Sequence, residues 1–300
     1  MPDRTPLPDH LSRAPFAVQE ALAAGLPPSR MQARDLSAPY RGVRVPRGVT
    51  VTAVDAYARR MPPHQHFSQI TAARLWRITL PGRLVDARLH VSATYPQRAP
   101  QVAGVVGHQA LPDLQLVELR PGVRVSSVAD TWRALATTLT LDELIIAGDS
   151  TVRRKNPLTS MAALEAAVLR ATGSPGARRA REAFALLRPR TDSPRETTLR
   201  LLIIRSGLPE PVVNFTITNE LGVFVAYGDL AYPQYKVLVE YDGGQHRDDE
   251  AQFNRDIDRL DDVMELTWRV IRVNKSHVDS RSAARIAKIR TALVERGWRP

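Results

Sequence analysis

The chain has 300 residues, 43% of them hydrophobic, with no cysteine and a formal charge of +11. That length and apolar content suffice for two or three compact units, which excludes disorder as the default state. The missing thiols exclude disulfides and cysteine-ligated zinc, and with no apolar N-terminal run the expected location is cytoplasmic, away from membranes. The basic excess lies upstream, with 24 basic against 14 acidic side chains through residue 187 and 18 against 17 thereafter. A polyanionic partner is therefore expected to meet the upstream part.

The first fifteen residues carry Pro2, Pro6, Pro8 and Pro15 among few apolar side chains, and residues 1–15 are expected to form a flexible tail. Ala17 to Ala24 reads as a short helix closed by Gly25, and "LPPSRMQARDL" then opens a second helical stretch. With the short, basic, β-prone run "PYRGVRVPRGV", residues 16–49 make a winged-helix-like unit. Two readings stand for Arg30, Arg34, Arg41 and Arg44: contact with DNA phosphates, or solvated charges on a small structural unit.

Residues 50–187 form a mixed α/β region. Helical stretches ("VDAYARR", "FSQITAARLWRI") alternate with strand-like runs ("ARLHVSATYP", "QVAGVVG", "LQLVELRPGVRVSSV"). Helices resume over "VADTWRALATTLTLDELIIAGDSTVRR" and "SMAALEAAVLRA". His64 and His66 have the spacing of a strand-borne metal pair but no adjacent carboxylate, and they read as a loop feature. The stretch "TGSPGARRAREAFALLRPRTDSP" is expected to be an arginine-rich connection, with a boundary near Arg188 to Asp192.

The last third, residues 188–300, opens with an N-cap at Ser193, Pro194 at the first helical position and Glu196 three residues after the cap. Leu199, Leu202 and Ile203 continue an apolar stripe until Gly207. The runs "VNFTITN", "GVFVAYGDLAYP" and "KVLVEYDG", separated by turn-forming residues, predict a meander. Then "DDEAQ" opens a helix with Phe253, Ile257, Leu260 and Met264 at helical spacing, "TWRVIRV" supplies a strand, and Ser280 to Arg296 another helix. Strand, crossover helix and strand predict parallel pairing of the last two strands.

Within this part, Asp229 precedes an apolar strand that ends in Glu240 and Asp242. Residues two apart on a strand share a face, so Glu240 and Asp242 point one way while Val237, Val239 and Tyr241 point the other. Carboxylates held together repel unless a cation joins them, and hard oxygen ligands suit Mg²⁺ or Mn²⁺. Glu240 is the hardest of them to read as merely structural, because it follows Val237-Leu238-Val239 in a strand expected to be buried. Its neighbours have structural roles open to them: Asp229 as a cap before Tyr232-Pro233, Asp242 as a turn residue before Gly243-Gly244, His246 as a surface histidine, and Glu196 as half of a capping box.

The order of these motifs, "SPRETTLRLL", "GDLAYP", "VLVEYDGGQH", "FNRDIDRLDD" and "WRVIRV", resembles the PD-(D/E)xK nuclease superfamily, in particular its Vsr-like, very-short-patch-repair-related endonuclease domains. The resemblance implies a restriction-endonuclease-like mixed sheet flanked by helices and hydrolysis of DNA phosphodiester bonds. It also implies a metal held by Asp229, Glu240 and the Tyr241 carbonyl, with Glu196 reaching the site from the first helix. Where the superfamily has lysine two residues after the second acid, this chain has Asp242. By the same resemblance Gln245 would orient water, and His246 would act as a base or as a donor to the phosphate. Arg259 is read as the partner of Asp256 one turn before it.

Upstream, "AVQEALAAGLPPSRM", "PYRGVRVP" and "GVRVSSVADTWRALATTLTLDELIIAGDSTVRR" are similar to the N-terminal winged helix and following α/β unit of abortive-infection-type antitoxins of type IV toxin–antitoxin pairs. That similarity implies a DNA or protein partner. The expected fold is α/β with mixed α+β character. The expected function is a metal-dependent endonuclease with a DNA-positioning region, and the alternative is a DNA-binding regulator or toxin–antitoxin component whose nuclease fold has lost its chemistry.

Overall fold

A computed structural model describes residues 5–84, 88–110, 113–242, 260–274 and 282–299. The fold is mixed α/β, and it divides into a unit drawn from Met1–Leu135 with Leu169–Ser174 and a unit drawn from Ala136–Val168 with Pro175–Pro300. No described helix is long and apolar enough to cross a membrane.

The first unit begins with α1 (Asp9–Ser12), β1 (Phe16–Ala17), α2 (Val18–Ala23), a 3-10 helix (Pro28–Gln32), β2 (Leu36–Ser37) and β3 (Val43–Pro46), with the strands in the order β1-β3-β2. Helix α2 stops where the sequence predicts, because Gly25 adopts a φ of +84° that L side chains resist. The expected flexible tail needs correction over its described part. Leu11 is fully buried beside Phe16, Ala21, Leu26 and Met31, and Leu7 packs against the same cluster. Leu7 and Leu11 are four residues apart, a helical spacing that the surrounding prolines obscure.

A second sheet follows, built from β4 (Gln65–Phe67), β5 (Leu89–Thr94), β6 (Val105–Ala110), β7 (Leu116–Arg120) and β8 (Val123–Ser126) in the order β6-β5-β4-β8-β7. Helices α3 (Ala53–Ala58), α4 (Gln69–Trp76) and α5 (Val128–Leu135) belong to the same unit. Phe67, Val91 and Val125 occupy paired positions and share one core with Tyr57 and Val123. The alternate positions are polar: His66 lies opposite Ser92, which lies opposite His108 on the far side. His90 and His108 stack with ring nitrogens 2.9 Å apart.

His66 therefore sits in a central strand and is not a loop residue. A strand of three residues is too short to display a period of two. Neither ring nitrogen of this buried histidine has a hydrogen-bond partner among the described residues. Burial pushes its imidazole from 6.5 down to about 4, with the Arg124 charge acting the same way and Asp130 opposing.

The second unit holds α6 (Leu141–Thr151), most of α7 (Met161–Arg170), α8 (Ala177–Leu186), α9 (Pro194–Arg205), β9 (Val212–Thr218), β10 (Phe224–Tyr232), β11 (Val237–Asp242), β12 (Arg269–Asn274) and α10 (Ser282–Glu295). Its sheet runs β12-β11-β10-β9. The first three strands form the predicted antiparallel meander, and β12 joins β11 in parallel. Leu199, Ile203, Val237, Val239, Ile271 and Ile289 make one core, while Ile217, Ala231, Leu238, Val263 and Trp268 make another. Leu238 and Val239 divide between the two as strand alternation requires.

The arginine-rich stretch expected to be a connection contains helix α8. The unit also reaches back to Ala136, so residues 188–192 lie within it. A buried ion pair explains why. Asp149 at the end of α6 accepts from Arg200 on α9 (3.1 Å), from the Thr197 hydroxyl (2.9 Å) and from the Arg188 N–H (2.8 Å). Arg200 is fully buried and also donates to Glu210 (3.0 Å) and to the Leu186 carbonyl (2.8 Å). Burial pushes the Asp149 carboxyl up to about 6, against the pull of Arg200 and the two other donors.

Asp149→Ala is expected to destabilise the second unit by about 2–3 kcal/mol, because it removes the fully buried partner of Arg200 and leaves that charge to Glu210 alone; urea unfolding of the variant measures this. For His66, the unfolded imidazole takes its proton near 6.5 but the folded one only near 4. Stability is therefore complete above that window and falls by about 3 kcal/mol as pH drops through it. In a pH series of unfolding curves, His66→Phe should lose this part of the slope.

Candidate active site at a strand fork

Among the described residues, strands β10 and β11 pair at Leu230–Val239, Ala231–Leu238 and Tyr232–Val237. Beyond those positions β10 stays paired with β9 back to Phe224, and β11 stays paired with β12 out to Asp242. The two middle strands therefore part at Asp229 and Glu240, the next residue on each. In the opening, the Asp229 carboxylate accepts the Tyr241 N–H at 2.8 Å, so a side chain takes up a main-chain donor. Glu240 is only 7% exposed.

The register continues across the sheet. Asn214 lies between Val213 and Phe215, which pair with Leu230 and Gly228, so it stands opposite Asp229. Glu240 is paired in turn with Arg272. Asn214, Asp229, Glu240 and Arg272 thus occupy one row over four strands. Asn214 has a φ of +43°, a conformation asparagine tolerates better than most residues, and its amide donates to the Arg190 carbonyl (2.7 Å) and to Glu196 Oε2 (3.2 Å).

Glu196 is buried at the start of α9, where its N–H donates to the Ser193 hydroxyl at 3.2 Å and its carboxylate also accepts the Asp192 N–H at 2.9 Å. Burial raises its carboxyl above the ordinary range, against the pull of these donors. Its carboxylate bonds to Asn214 and to the Asp192 N–H, which makes it a positioning residue for the row. The half-buried Tyr241 packs against the core between α9 and α10. Asp242 accepts from Arg272 at 2.9 Å. Gln245 and His246, with Asp256 and Arg259, lie outside the described residues.

Two of the four upstream arginines require correction. Arg30 is buried, grips both Asp35 oxygens (2.9 and 2.8 Å) and donates through Nε to the Thr5 carbonyl (2.7 Å). Arg44 donates to the carbonyls of Met31 (2.6 Å) and Val43 (2.9 Å). Both guanidinium groups tie the small N-terminal sheet together and are not presented to phosphates. Arg34 and Arg41 are exposed. Asn214 and Arg272 are the site residues that the sequence does not single out. The sequence does predict parallel pairing of the last two strands, and the register of that pairing sets this arginine beside Glu240.

The oxygen donors available at the fork are the Asp229 and Glu240 carboxylates, and the resemblance would add the Tyr241 carbonyl. That all-oxygen set fits Mg²⁺ or Mn²⁺, which keep water in their remaining positions. Among the described residues, no group of three or more His, Asp or Glu side chains converges for metal binding. Glu196 accordingly stands apart from the pair Asp229 and Glu240.

No protein-family model and no solved structure matches this chain. It is similar to two curated proteins of Mycobacterium tuberculosis, one from strain CDC 1551 / Oshkosh and one from strain ATCC 25618 / H37Rv, at 30% identity over 128 residues in each case. Both are described only as uncharacterized proteins. The match covers 42% of this chain and 47% of each relative, so the chain spans about half the length of the curated relatives it matches.

Asp229→Asn keeps an acceptor for the Tyr241 N–H while removing one of two neighbouring negative charges. In chelator the variant should melt at or above the wild-type temperature. Saturating Mn²⁺, at a hundred times its dissociation constant, should stabilise the wild type by about 3 kcal/mol and the variant by much less. Equal Mn²⁺ shifts in the two proteins would place the ion elsewhere.

Proposed function

We propose that this chain is a metal-dependent endonuclease that hydrolyses DNA phosphodiester bonds at the fork between β10 and β11. The observation that carries the reading is the placement of Asp229 and Glu240 on the two strands where the sheet parts, with Glu240 buried. A buried carboxylate beside another acid is costly without a cation. Asp229, Glu240 and the Tyr241 carbonyl would hold Mg²⁺ or Mn²⁺. When bound, the metal supplies an activated water and stabilises charge on the phosphoryl group in flight.

The chain's own residues prepare that site. Asn214 anchors the Asp229 end of the row through Glu196 and the Arg190 carbonyl. Arg272, bonded to Asp242, brings a guanidinium to the other end, where the superfamily carries its lysine. A fixed cation there offsets the charge of the acids and of an incoming phosphate. Of the four upstream arginines that the sequence suggests, the exposed Arg34 and Arg41 are left to attract DNA, without reading its sequence.

The Asp242–Arg272 pair also favours a second reading. An arginine already neutralised by an aspartate is a poorer substitute for a lysine, as expected of a DNA-binding regulator or toxin–antitoxin component with an inactive nuclease fold. Supercoiled, linear and mismatched DNA incubated with Mg²⁺ or Mn²⁺ separates the two. The nuclease reading expects cutting that falls at least about a hundredfold in Glu240→Ala, as the loss of several kcal/mol of metal-borne stabilisation requires. Equal cutting by both proteins contradicts it, and gel shifts by both with cutting by neither favour the regulator.

A further inference from the structure

A second site lies upstream on the strand that carries Asp229. The loop from α6 to α7, the turn at Pro189 and Arg190, and Tyr227 of β10 enclose a recess of about 440 Å³ within the second unit. Arg153, Arg154, Arg190 and Ser160 are among its lining residues. Asp192 pairs with Arg154, whose guanidinium lies 4.3 Å over the Tyr227 ring. Arg153 donates through Nε to the Asn156 carbonyl at 3.1 Å, and the Arg190 guanidinium makes no hydrogen bond or ion pair among the described residues. The recess thus presents more positive charge than its one acid cancels.

Its rim is apolar and exposed. Phe224 is 52% exposed, with its ring centroid 4.9 Å from that of Tyr227, and the hairpin tip beyond it carries Val223 at 58% and Leu221 at 88% exposure. The tip is held in shape, because the Asn219 side-chain oxygen accepts the N–H groups of Leu221 (3.0 Å) and Val223 (2.9 Å). Exposed aromatic side chains beside arginines match an unstacked nucleotide, which offers a flat apolar base and an anionic phosphate together. A protein partner would have to set carboxylates beside an apolar surface, whereas one nucleotide carries a flat ring and an anion in a single unit.

We propose that this recess binds a nucleotide of a single DNA strand, with its phosphate on Arg153 and Arg190 and its base against Phe224 and Tyr227. Tyr227 precedes Asp229 by two residues, about 7 Å along a strand, so a nucleotide held there lies next to the acid pair. The Arg190 carbonyl is bonded to Asn214, which joins the recess to the row that ends at Arg272. The inference rests on the nuclease reading for its choice of DNA, and it assigns the recess the flanking nucleotide rather than the phosphate to be cut.

The test is a fluorescence-anisotropy titration, in chelator, with a short labelled single-stranded oligonucleotide and an otherwise identical probe carrying an abasic position. Phe224 and Arg190 are both exposed, so Phe224→Ala and Arg190→Ala leave the fold intact, which circular dichroism verifies. Each variant is expected to bind the oligonucleotide about tenfold more weakly. With the abasic probe, Phe224→Ala should match the wild type while Arg190→Ala stays weak. Wild-type affinity in both variants, or no binding by the wild type, overturns the proposal. So does a Phe224→Ala protein that changes only in self-association on sedimentation. Glu240→Ala removes a negative charge next to the recess and should bind at least as tightly as the wild type, and if it also cuts as the wild type does, the nuclease reading fails while the recess result stands.

Discussion

The hydrogen bond from the Tyr241 N–H to the Asp229 carboxylate governs the second unit's candidate chemistry. A sheet continued in register would pair the main chains of β10 and β11 past Asp229, leaving no opening between them. A side-chain acceptor at that point lets the strands diverge while the part-buried donor stays satisfied. The same bond sets Asp229 beside Glu240. The row from Asn214 to Arg272 then follows from strand register alone.

A fork of this kind needs rigid flanks, and the unit provides them on the helical side. The ion pair between Asp149 and Arg200 binds α6 to α9, and α9 carries Glu196, which receives Asn214. Arg200 and Thr197 of α9 both donate to Asp149 of α6, so the two helices share a buried polar contact. The loop that follows α6 brings Arg153 and Arg154 to the recess beside Tyr227. One buried network thereby anchors both the acid row and the basic recess upstream of it.

Much of the second unit is legible in the sequence because its signals are local. Ser193, Pro194 and Glu196 announce the start of α9, and apolar runs separated by turn residues announce β9 to β11. Parallel pairing of β12 follows from the intervening helix pattern. What escapes depends on distant partners. Nothing near Arg30 or Arg44 in the sequence indicates that their guanidinium groups fold back onto Asp35 and main-chain carbonyls, and Arg272 becomes a site residue only through register. His66 reads as a loop residue because its strand is very short, and α8 reads as a connection because its arginines mask the alanines that face the core.

The central claim is that Asp229 and Glu240 together grip a divalent ion. A crystal soaked in Mn²⁺ and measured near the manganese absorption edge tests it most directly. The account predicts an anomalous peak within about 2.0–2.3 Å of one oxygen from each carboxylate, with the Tyr241 carbonyl in reach. Electron density showing the two carboxylates turned to separate sides of the sheet with no peak between them, at an ion concentration that fills other sites, would contradict it.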